Sequence, residues 1–255
     1  MSASTSTKLD RSSPEYKRSL TEALRWDHDR REPYLLLPTG DRIVPFRPGI
    51  ASDIAALFNS PEIGRRLYRL PWPMSVAWAE DWVQGEIEKQ EGYLAELVES
   101  LPSAPEPLSE DGGLGSGITQ GEGLHKAPGT RALSGMPFKS IRDASGKIVG
   151  DIGLTPSDAD PDTYTADMWH LGYVLAEGAT GRGLMIAAVG AVLAWAKEWM
   201  GVKAIEAIVE NDNPGSIGVL LATGFERVGD TVTDWPEEKG GGKRYGGRWI
   251  WKADA

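Results

Sequence analysis

Residues 169–196 read WHLGYVLAEGATGRGLMIAAVGAVLAWA and contain the feature that decides the fold. An apolar run with strand character is followed by the glycine-rich turn EGATGRGLM, residues 177–185, and then by a long apolar stretch. A strand, a glycine-rich turn and a buried helix leave backbone N–H groups unpaired at a helix start, where the helix dipole attracts anions. The turn is therefore predicted to bind phosphate, with Arg182 adding a charge-assisted contact.

Three phosphate ligands compete for this turn: a dinucleotide, a nucleoside triphosphate and coenzyme A. The glycines follow the order G-x-x-G-x-G rather than the G-x-G-x-x-G of dinucleotide sites, and they come late in the chain. The turn does not end in G-K-[ST], which argues against a triphosphate. A tight turn without a ligand is the plain alternative.

The composition sets the class of protein. The chain has 255 residues, a hydrophobic fraction of 40% and ten tryptophans, which is typical of a folded globular protein. Cysteine is absent, which excludes disulfides, thiolate nucleophiles and cysteine-based zinc sites. The three histidines, His28, His125 and His170, are far apart in sequence, so no metal site is expected.

The net charge of −10 gives no basic face for nucleic acid, so no nucleic-acid partner is expected. An acidic chain suits a cationic or amine substrate, although many proteins are acidic for solubility alone. No apolar run approaches the roughly 20 residues that span a bilayer, and the start lacks the apolar segment of a secretory signal. The sequence therefore predicts a cytoplasmic protein with no membrane partner.

The chain divides into two parts by pattern. Residues 1–33 are predicted to hold a disordered start and an appended N-terminal helix, SPEYKRSLTEALRWDHD at 13–29, which begins with a Ser cap and Pro14. Residues 34–255 are predicted to form the main domain, with the element order β-α-α-β-β-β-α-β-α-β-β. A Gly/Pro/Ser-rich stretch at about 101–137 is predicted to be a flexible insertion or a substrate-side flap.

The glycine-rich region and the following KAIEAIVENDNPGSIGVLLATGF, residues 203–225, resemble the GNAT superfamily of acyl-CoA N-acyltransferases. The likeness is closest to the branch that contains the ribosomal-protein N-terminal acetyltransferases. The segment T-G-R-G-L-M stands where the family has [R/Q]-x-x-G-x-[G/A], and Asn213 to Ser216 matches an N-x-x-[S/A] step. The pair Gly224-Phe225 follows at the expected offset. The resemblance covers roughly residues 34–252.

This resemblance implies an α/β (α+β) fold with a central mixed, mostly antiparallel twisted sheet flanked by helices. It also implies acetyl-CoA as co-substrate, with the pyrophosphate held by residues of the turn. These are Thr180, Gly181, Arg182, Gly183, Leu184 and Met185. Three positions depart from the family: Thr180 replaces Arg or Gln, Met185 replaces a small residue, and Leu220 stands where many members have a catalytic tyrosine.

The implied reaction is direct attack of a primary amine on the thioester, which requires a base, an oxyanion donor and a proton for the leaving thiolate. Glu206 is the favoured base, because it is a charge inside an apolar strand and shares a face with Ile208 and Glu210. A solvent-facing or structural carboxylate is the alternative. His170 is the second candidate, against the alternative of a packed histidine.

The remaining roles concern the two substrates. A backbone N–H near Val174 or Leu175 is expected to be the oxyanion donor, where family strands splay to admit the pantetheine arm. Asn213 is expected to bind that arm, or else to form a turn. Ser216 is expected to donate to the thiolate, or else to cap a helix. Three tryptophans near the LPWP turn either wall the acceptor site or belong to the core, namely Trp72, Trp78 and Trp82.

The sequence thus predicts an acetyl-CoA-dependent N-acetyltransferase. Its acceptor is expected to be an amine of a small molecule or a protein N-terminus, and the protein is expected to be a monomer or homodimer. The alternative is a non-catalytic acyl-CoA-binding or protein-interaction module on the same fold.

Overall fold

The structure is a computed structural model that describes residues 10–103, 123–157 and 168–253. Nine strands form one sheet in the order β1-β2-β3-β4-β5-β6-β7-β9-β8. Their bounds are β1 Leu24–Asp27, β2 Glu32–Leu36, β3 Arg42–Val44, β4 Ser140–Arg142, β5 Ile148–Pro156, β6 Met168–Leu175, β7 Ala204–Glu210, β8 Glu226–Asp234 and β9 Lys243–Lys252.

Six α-helices in the described ranges cover this sheet. Their bounds are α1 Pro14–Thr21, α2 Ala51–Phe58, α3 Pro61–Gly64, α4 Val76–Glu99, α5 Leu184–Glu198 and α6 Pro214–Ala222. All neighbouring strands pair antiparallel except β6 and β7, which pair parallel. The predicted mixed, mostly antiparallel sheet flanked by helices is therefore confirmed. The predicted element order holds from β3 onward, except that the three helices α2, α3 and α4 stand where two were predicted.

The sheet has a different layer on each face. The larger core cluster contains α5, which is apolar almost all round and packs against buried residues of β7 such as Ile205 and Ala207. The smaller cluster holds α2 and the first half of α4 against the opposite face. Because side chains alternate along a strand, Glu206 and Ile208 lie on the face of β7 turned away from α5.

The N-terminal helix packs outside α5. A Cβ atom added to Gly190 of α5 would lie 2.8 Å from Cδ1 of Leu20 in α1, so the glycine permits a close approach of the two helices. The same packing buries Tyr16. Helix α1 is thus fixed along α5 by apolar contacts.

The prediction of one helix over 13–29 is wrong in its second half. Helix α1 ends at Thr21, and Leu24–Asp27 is an edge strand that pairs with β2. Leu24 and Trp26 are both buried, a period of two that sheet pairing selects over the helical stripe. The division of the chain at residue 33 stays a prediction.

The stretch 101–137 is described only at its two ends, 101–103 and 123–137, where it contains no helix or strand, as predicted. Its middle, residues 104–122, lies outside the described residues. Leu101, Leu124, Leu133 and Met136 are buried in the main core, so both described ends pack on the domain. In the described part of the chain, no helix is both long enough and apolar enough to cross a bilayer.

Candidate active site

Strands β6 and β7 separate after three paired residues. Their register runs from Met168 opposite Ala204 to His170 opposite Glu206. Strand β6 then continues to Leu175 and β7 to Glu210 without further pairing between them. A gap therefore opens in the middle of the sheet toward the carboxyl ends of both strands.

Backbone hydrogen bonds show which groups of β6 face this gap. The N–H of Ala176 donates to the carbonyl of Val149 over 2.8 Å, and the N–H of Ser157 donates to the carbonyl of Met168 over 2.9 Å. The β5–β6 register has no irregularity between these points. Because backbone direction alternates along a strand, even-numbered residues of β6 face β5 and odd-numbered residues face the gap.

The alternation separates the two residues predicted near the oxyanion. The N–H of Val174 is directed to Asp151 on β5, whereas the N–H of Leu175 is directed into the gap, as is that of Tyr173. A ligand in the gap can therefore accept hydrogen bonds from the N–H groups of Leu175 and Tyr173. The side chain of Val174 packs against the smaller core cluster, on the face of the sheet opposite α5.

The glycine-rich loop lies where β6 leads into α5. Gly181 and Gly183 adopt φ angles of +77° and +81°, in the left-handed region that side chains disfavour. Gly183 is the N-cap residue of α5 and provides no side-chain acceptor. The first N–H groups of the helix therefore point out of its start, which is the arrangement that binds phosphate oxygens. Leu184 and Met185 are the first two residues of α5 and their side chains are buried, and their contact with pyrophosphate stays a prediction.

Two side chains of this loop are used internally. The hydroxyl of Thr180 donates to the carbonyl of Glu177 over 2.8 Å. The guanidinium of Arg182 donates to Oδ1 of Asp41 over 2.9 Å, and Asp41 is buried in the turn between β2 and β3. Arg182 thus neutralises a buried carboxylate, which competes with its predicted contact to phosphate.

His170 and Glu206 face each other at the closed end of the gap. Nδ1 of His170 lies 3.8 Å from Oε1 of Glu206, an ion-pair distance when the ring is protonated. Glu206 is buried, whereas the side chain of His170 is 36% exposed. Oε1 of Glu206 also accepts a hydrogen bond from the hydroxyl of Ser157, and Oε2 lies 3.1 Å from Nε of Arg248.

These neighbours set the charge of Glu206. The His170 ring, then the Ser157 hydroxyl and the Arg248 guanidinium, hold the pKa of the Glu206 carboxyl below its ordinary value against the opposing effect of burial. A carboxylate with a lowered pKa is a weak proton acceptor. The assignment of Glu206 as base stays a prediction, and the geometry makes His170 the better placed acceptor of the two.

Asn213 and Ser216 lie at the start of α6, beside the gap. The side chain of Asn213 accepts a hydrogen bond from the N–H of Ser216 over 3.1 Å and so caps the helix. The alternative of Ser216 as a cap is therefore wrong, because Ser216 is the third residue of α6 and Asn213 fills that role. Within the described ranges the amide nitrogen of Asn213 has no hydrogen-bond partner, so it can donate to a ligand.

Tyr173 is a residue at this site that the sequence reasoning missed. Its hydroxyl donates to the carbonyl of Ser216 over 3.2 Å, which brings a phenol to the start of α6 although position 220 is leucine. Burial raises the pKa of Tyr173 to about 12, so the hydroxyl stays protonated at neutral pH. The sequence offers one signal for this placement: Tyr173 is three residues from His170 in the strand WHLGYV, so the two side chains lie on opposite faces of the sheet.

Among the described residues, the face of the sheet opposite α5 is bare at a glycine pair. Gly153 and Gly172 are cross-strand partners on β5 and β6, beside His170. A Cβ on Gly172 would meet no atom within 4 Å, whereas one on Gly153 would lie 3.4 Å from Nζ of Lys139. This bare patch leaves room for a substrate next to the His170–Glu206 pair.

The three tryptophans predicted near the acceptor take different places. Trp82 packs edge-on against aromatic rings of the smaller core and lies 5.3 Å from Nζ of Lys139, so it reaches the border of the bare patch. Trp78 stacks on Trp82 with ring centroids 6.1 Å apart and is partly exposed. Trp72 packs against Gly64, under the guanidinium of Arg65.

A cleft of about 630 Å³ opens at the carboxyl end of β7. Its walls carry both acidic and basic side chains, including Glu62, Arg66, Glu210, Asp212 and Arg244. Glu210 and Asp212 both pair with Arg66, and Glu210 also pairs with Arg244. Glu210 lies on the same face of β7 as Glu206, about 13 Å further along the strand.

A buried charge cluster borders the bare patch and leads to a pH prediction. Asp151 is buried on β5, and burial raises its pKa to about 6 although Lys139 opposes the shift. Nζ of Lys139 is held by Glu86 at 2.9 Å. An acid with a raised folded-state pKa stabilises the fold at low pH, and this contribution is lost as the pH rises through 6.

We therefore expect Asp151→Asn to raise the free energy of unfolding by about 2 kcal/mol at about pH 8 and to leave it nearly unchanged at about pH 4. Chemical denaturation at both pH values measures the effect. Asp81→Asn on the exposed side of α4 is the control. A variant that is less stable at the higher pH would mean that attraction to Lys139 outweighs the burial of the Asp151 charge.

Comparison with known proteins identifies the family. Residues 42–226 match the sequence profile described as the acetyltransferase (GNAT) domain, a range that includes the loop, the gap and the His170–Glu206 pair. The chain belongs to the GNAT acetyltransferase family. This confirms the resemblance found in the sequence. No curated protein matches the chain significantly.

Solved GNAT structures share the fold over most of their length. Ribosomal-protein-S5-alanine acetyltransferase from Vibrio fischeri is 17% identical with a TM-score of 0.53, covering 84% of this chain and 93% of that one. RimJ from Mycobacterium smegmatis, in complex with CoA-disulfide, is 19% identical with a TM-score of 0.55 and 86% coverage of both chains. Spermidine N-acetyltransferase from Vibrio cholerae, with CoA and spermine, is 13% identical with a TM-score of 0.55, covering 83% and 95%.

These identities show a common fold, and the GNAT family gives the coarse activity of an acetyltransferase that uses acyl-CoA. Within the described ranges, His, Asp and Glu side chains form no group of three or more that could hold a metal ion.

Proposed function

We propose that this GNAT protein is an acetyl-CoA-dependent N-acetyltransferase that transfers an acetyl group to a primary amine in a ternary complex. The observation that carries the proposal is the gap between β6 and β7, which has the His170–Glu206 pair at its closed end and the glycine-rich loop at its open end. Acetyl-CoA supplies an activated acetyl thioester. The residues of this chain bind it, bring the amine close and move protons.

The loop suits the pyrophosphate of coenzyme A. The two left-handed glycines, Gly181 and Gly183, remove side chains from the approach, and the uncapped start of α5 offers the N–H groups of Leu184 and Met185. The pantetheine arm would follow β6 in the gap and accept hydrogen bonds from the backbone of Leu175 and Tyr173. The amide nitrogen of Asn213 would donate to the arm from the α6 side.

His170 is the proposed proton acceptor for the attacking amine. Its ring is partly exposed on the face that carries the bare glycine patch, while Glu206 is buried behind it. An ionised Glu206 near Nδ1 favours the tautomer with the proton on Nδ1 and leaves Nε2 as the basic nitrogen. Glu206 is therefore a positioning residue, which orients the ring.

The Ser216 hydroxyl can assist departure of the CoA thiolate. Ser216 and Tyr173 meet at the start of α6, where the Tyr173 hydroxyl donates to the Ser216 carbonyl over 3.2 Å. The start of a helix also favours a developing negative charge. We assign the proton or hydrogen-bond donation to Ser216, and the Tyr173 hydroxyl holds the start of α6 through its bond to the Ser216 carbonyl.

The acceptor would approach from the face opposite α5. The V. cholerae structure contains CoA together with spermine, which supports an amine acceptor in a fold of this kind. The RimJ structure contains a CoA compound and supports coenzyme A as the shared ligand. The bare patch beside His170 lies on this side and would receive the amine.

The test is release of free thiol from acetyl-CoA in the presence of a panel of amines: a polyamine, an amino sugar and a peptide with a free N-terminus. We expect at least one amine to raise thiol release well above the rate without acceptor, and CoA alone to raise the melting temperature. CoA stabilisation without turnover on any amine would contradict the enzymatic proposal. No effect of CoA on stability would contradict the binding site as well.

A further inference from the structure

The departure at Thr180 raises the question of what replaces its missing cationic or amide donor. The Thr180 hydroxyl is bonded to Glu177, and the Arg182 guanidinium is bonded to buried Asp41. Neither side chain of the loop is therefore directed to a phosphate group. A pyrophosphate carries at least two negative charges, so an uncompensated site would bind it weakly.

A cation from the N-terminal segment lies at this place. A Cβ atom added to Gly183 would stand 2.9 Å from Nη2 of Arg11 and 3.7 Å from its Cζ. The Arg11 guanidinium thus lies directly over the N-cap residue of α5, where the free helical N–H groups begin. Arg11 is exposed, and no carboxylate in the described part of the chain forms an ion pair with it.

The segment that carries Arg11 is held in place from both sides. Before α1, the carboxylate of Asp10 accepts hydrogen bonds from the N–H and hydroxyl of Ser12, which closes a turn around Arg11. After it, the Ser13 side chain caps α1. Helix α1 then packs on α5 through Leu20, so its start and the start of α5 lie side by side.

We propose that Arg11 is a ligand of the CoA pyrophosphate and supplies from the N-terminal segment the donor that Thr180 lacks. The inference rests on the proposed function of the loop. Residue 11 lies outside the range 42–226 that matches the family, so this contact is an addition of this chain to the GNAT domain. A guanidinium suits the role because its planar N–H groups bind phosphate oxygens in pairs. Asp10 is the nearest acidic neighbour in sequence, and its carboxylate is occupied by Ser12.

Calorimetric titration of the full chain with CoA and with dephospho-CoA tests this assignment. We expect Arg11→Ala to raise the Kd about tenfold for both ligands, since both contain the pyrophosphate. Arg11→Lys should recover part of the affinity and Arg11→Glu should lose more than the alanine variant. In turnover, Arg11→Ala should raise the KM for acetyl-CoA by a similar factor and leave kcat at saturation within about twofold.

Arg18→Ala is the matched control, because Arg18 is an exposed arginine in the last turn of α1, the helix that follows Arg11. Its Kd should stay within about twofold of the wild type. Wild-type binding of CoA together with undiminished binding by Arg11→Ala would overturn this assignment alone. If Arg11→Ala lost affinity for CoA and kept its affinity for dephospho-CoA, Arg11 would contact the 3′-phosphate instead, which would also overturn the assignment. Failure of the wild type to bind CoA would overturn the proposed function and this contact with it.

Discussion

Gly183→Asp is expected to raise the Kd for CoA by at least about 100-fold, or roughly 3 kcal/mol. Gly183 has a φ angle of +81°, which costs a residue with a Cβ about 1–2 kcal/mol. The new side chain would also begin 2.9 Å from Nη2 of Arg11 and place a carboxylate where the pyrophosphate is proposed to bind. Strain, loss of space and charge repulsion therefore act in the same direction.

Calorimetric titration with CoA measures this effect, and a thermal melt of the same sample shows whether the fold is retained. Gly85→Asp on α4 is the matched control, because a Cβ there meets no atom within 4 Å. It adds the same charge far from the loop and should bind CoA as the wild type does. A folded Gly183→Asp protein with wild-type affinity would show that the pyrophosphate does not lie at the start of α5.

His170→Ala is expected to lower kcat about 100-fold or more and to leave CoA affinity within about twofold. The ring is the partly exposed member of the His170–Glu206 pair and is the proposed acceptor of the amine proton. Glu206→Gln should lower kcat less, about tenfold, because the imidazole remains.

Steady-state kinetics over a range of pH, together with CoA titrations, separates the two roles. His125→Ala is the control, because that histidine is exposed and lies in the segment 123–137, which has no proposed part in the reaction. The opposite result would be a fall in kcat of about 100-fold in Glu206→Gln together with an active His170→Ala variant. It would show that Glu206 itself is the base. The pKa of Glu206 is lowered by His170, Ser157 and Arg248, which argues for His170 as the base and Glu206 as the positioning residue.

Local features of the site could be predicted from the sequence. The glycine-rich turn and the helix after it depend on backbone conformation and on neighbours three or four residues away. The alternation along β7 likewise sets Glu206 on the face opposite α5. These features follow from residue type and spacing, and the structure places them as expected.

Contacts between distant parts of the chain could not be predicted in this way. The pairing of Arg182 with Asp41 joins positions 141 residues apart, and the placement of Arg11 over Gly183 depends on the docking of α1. The end of β6–β7 pairing at His170 is a tertiary feature as well. The mistaken extension of the N-terminal helix has a different cause, because residues 24–27 have apolar positions that fit both a helical stripe and a strand, and only the partner strand decides.

The central claim is that coenzyme A binds with its pyrophosphate at the start of α5 and its pantetheine arm in the gap between β6 and β7. A crystal structure of the full chain with CoA tests it most directly. The account predicts phosphate oxygens within hydrogen-bond distance of the N–H groups of Gly183, Leu184 or Met185, and the arm bonded to the backbone of Leu175. CoA bound elsewhere, with the β6–β7 gap free of the arm, would contradict it.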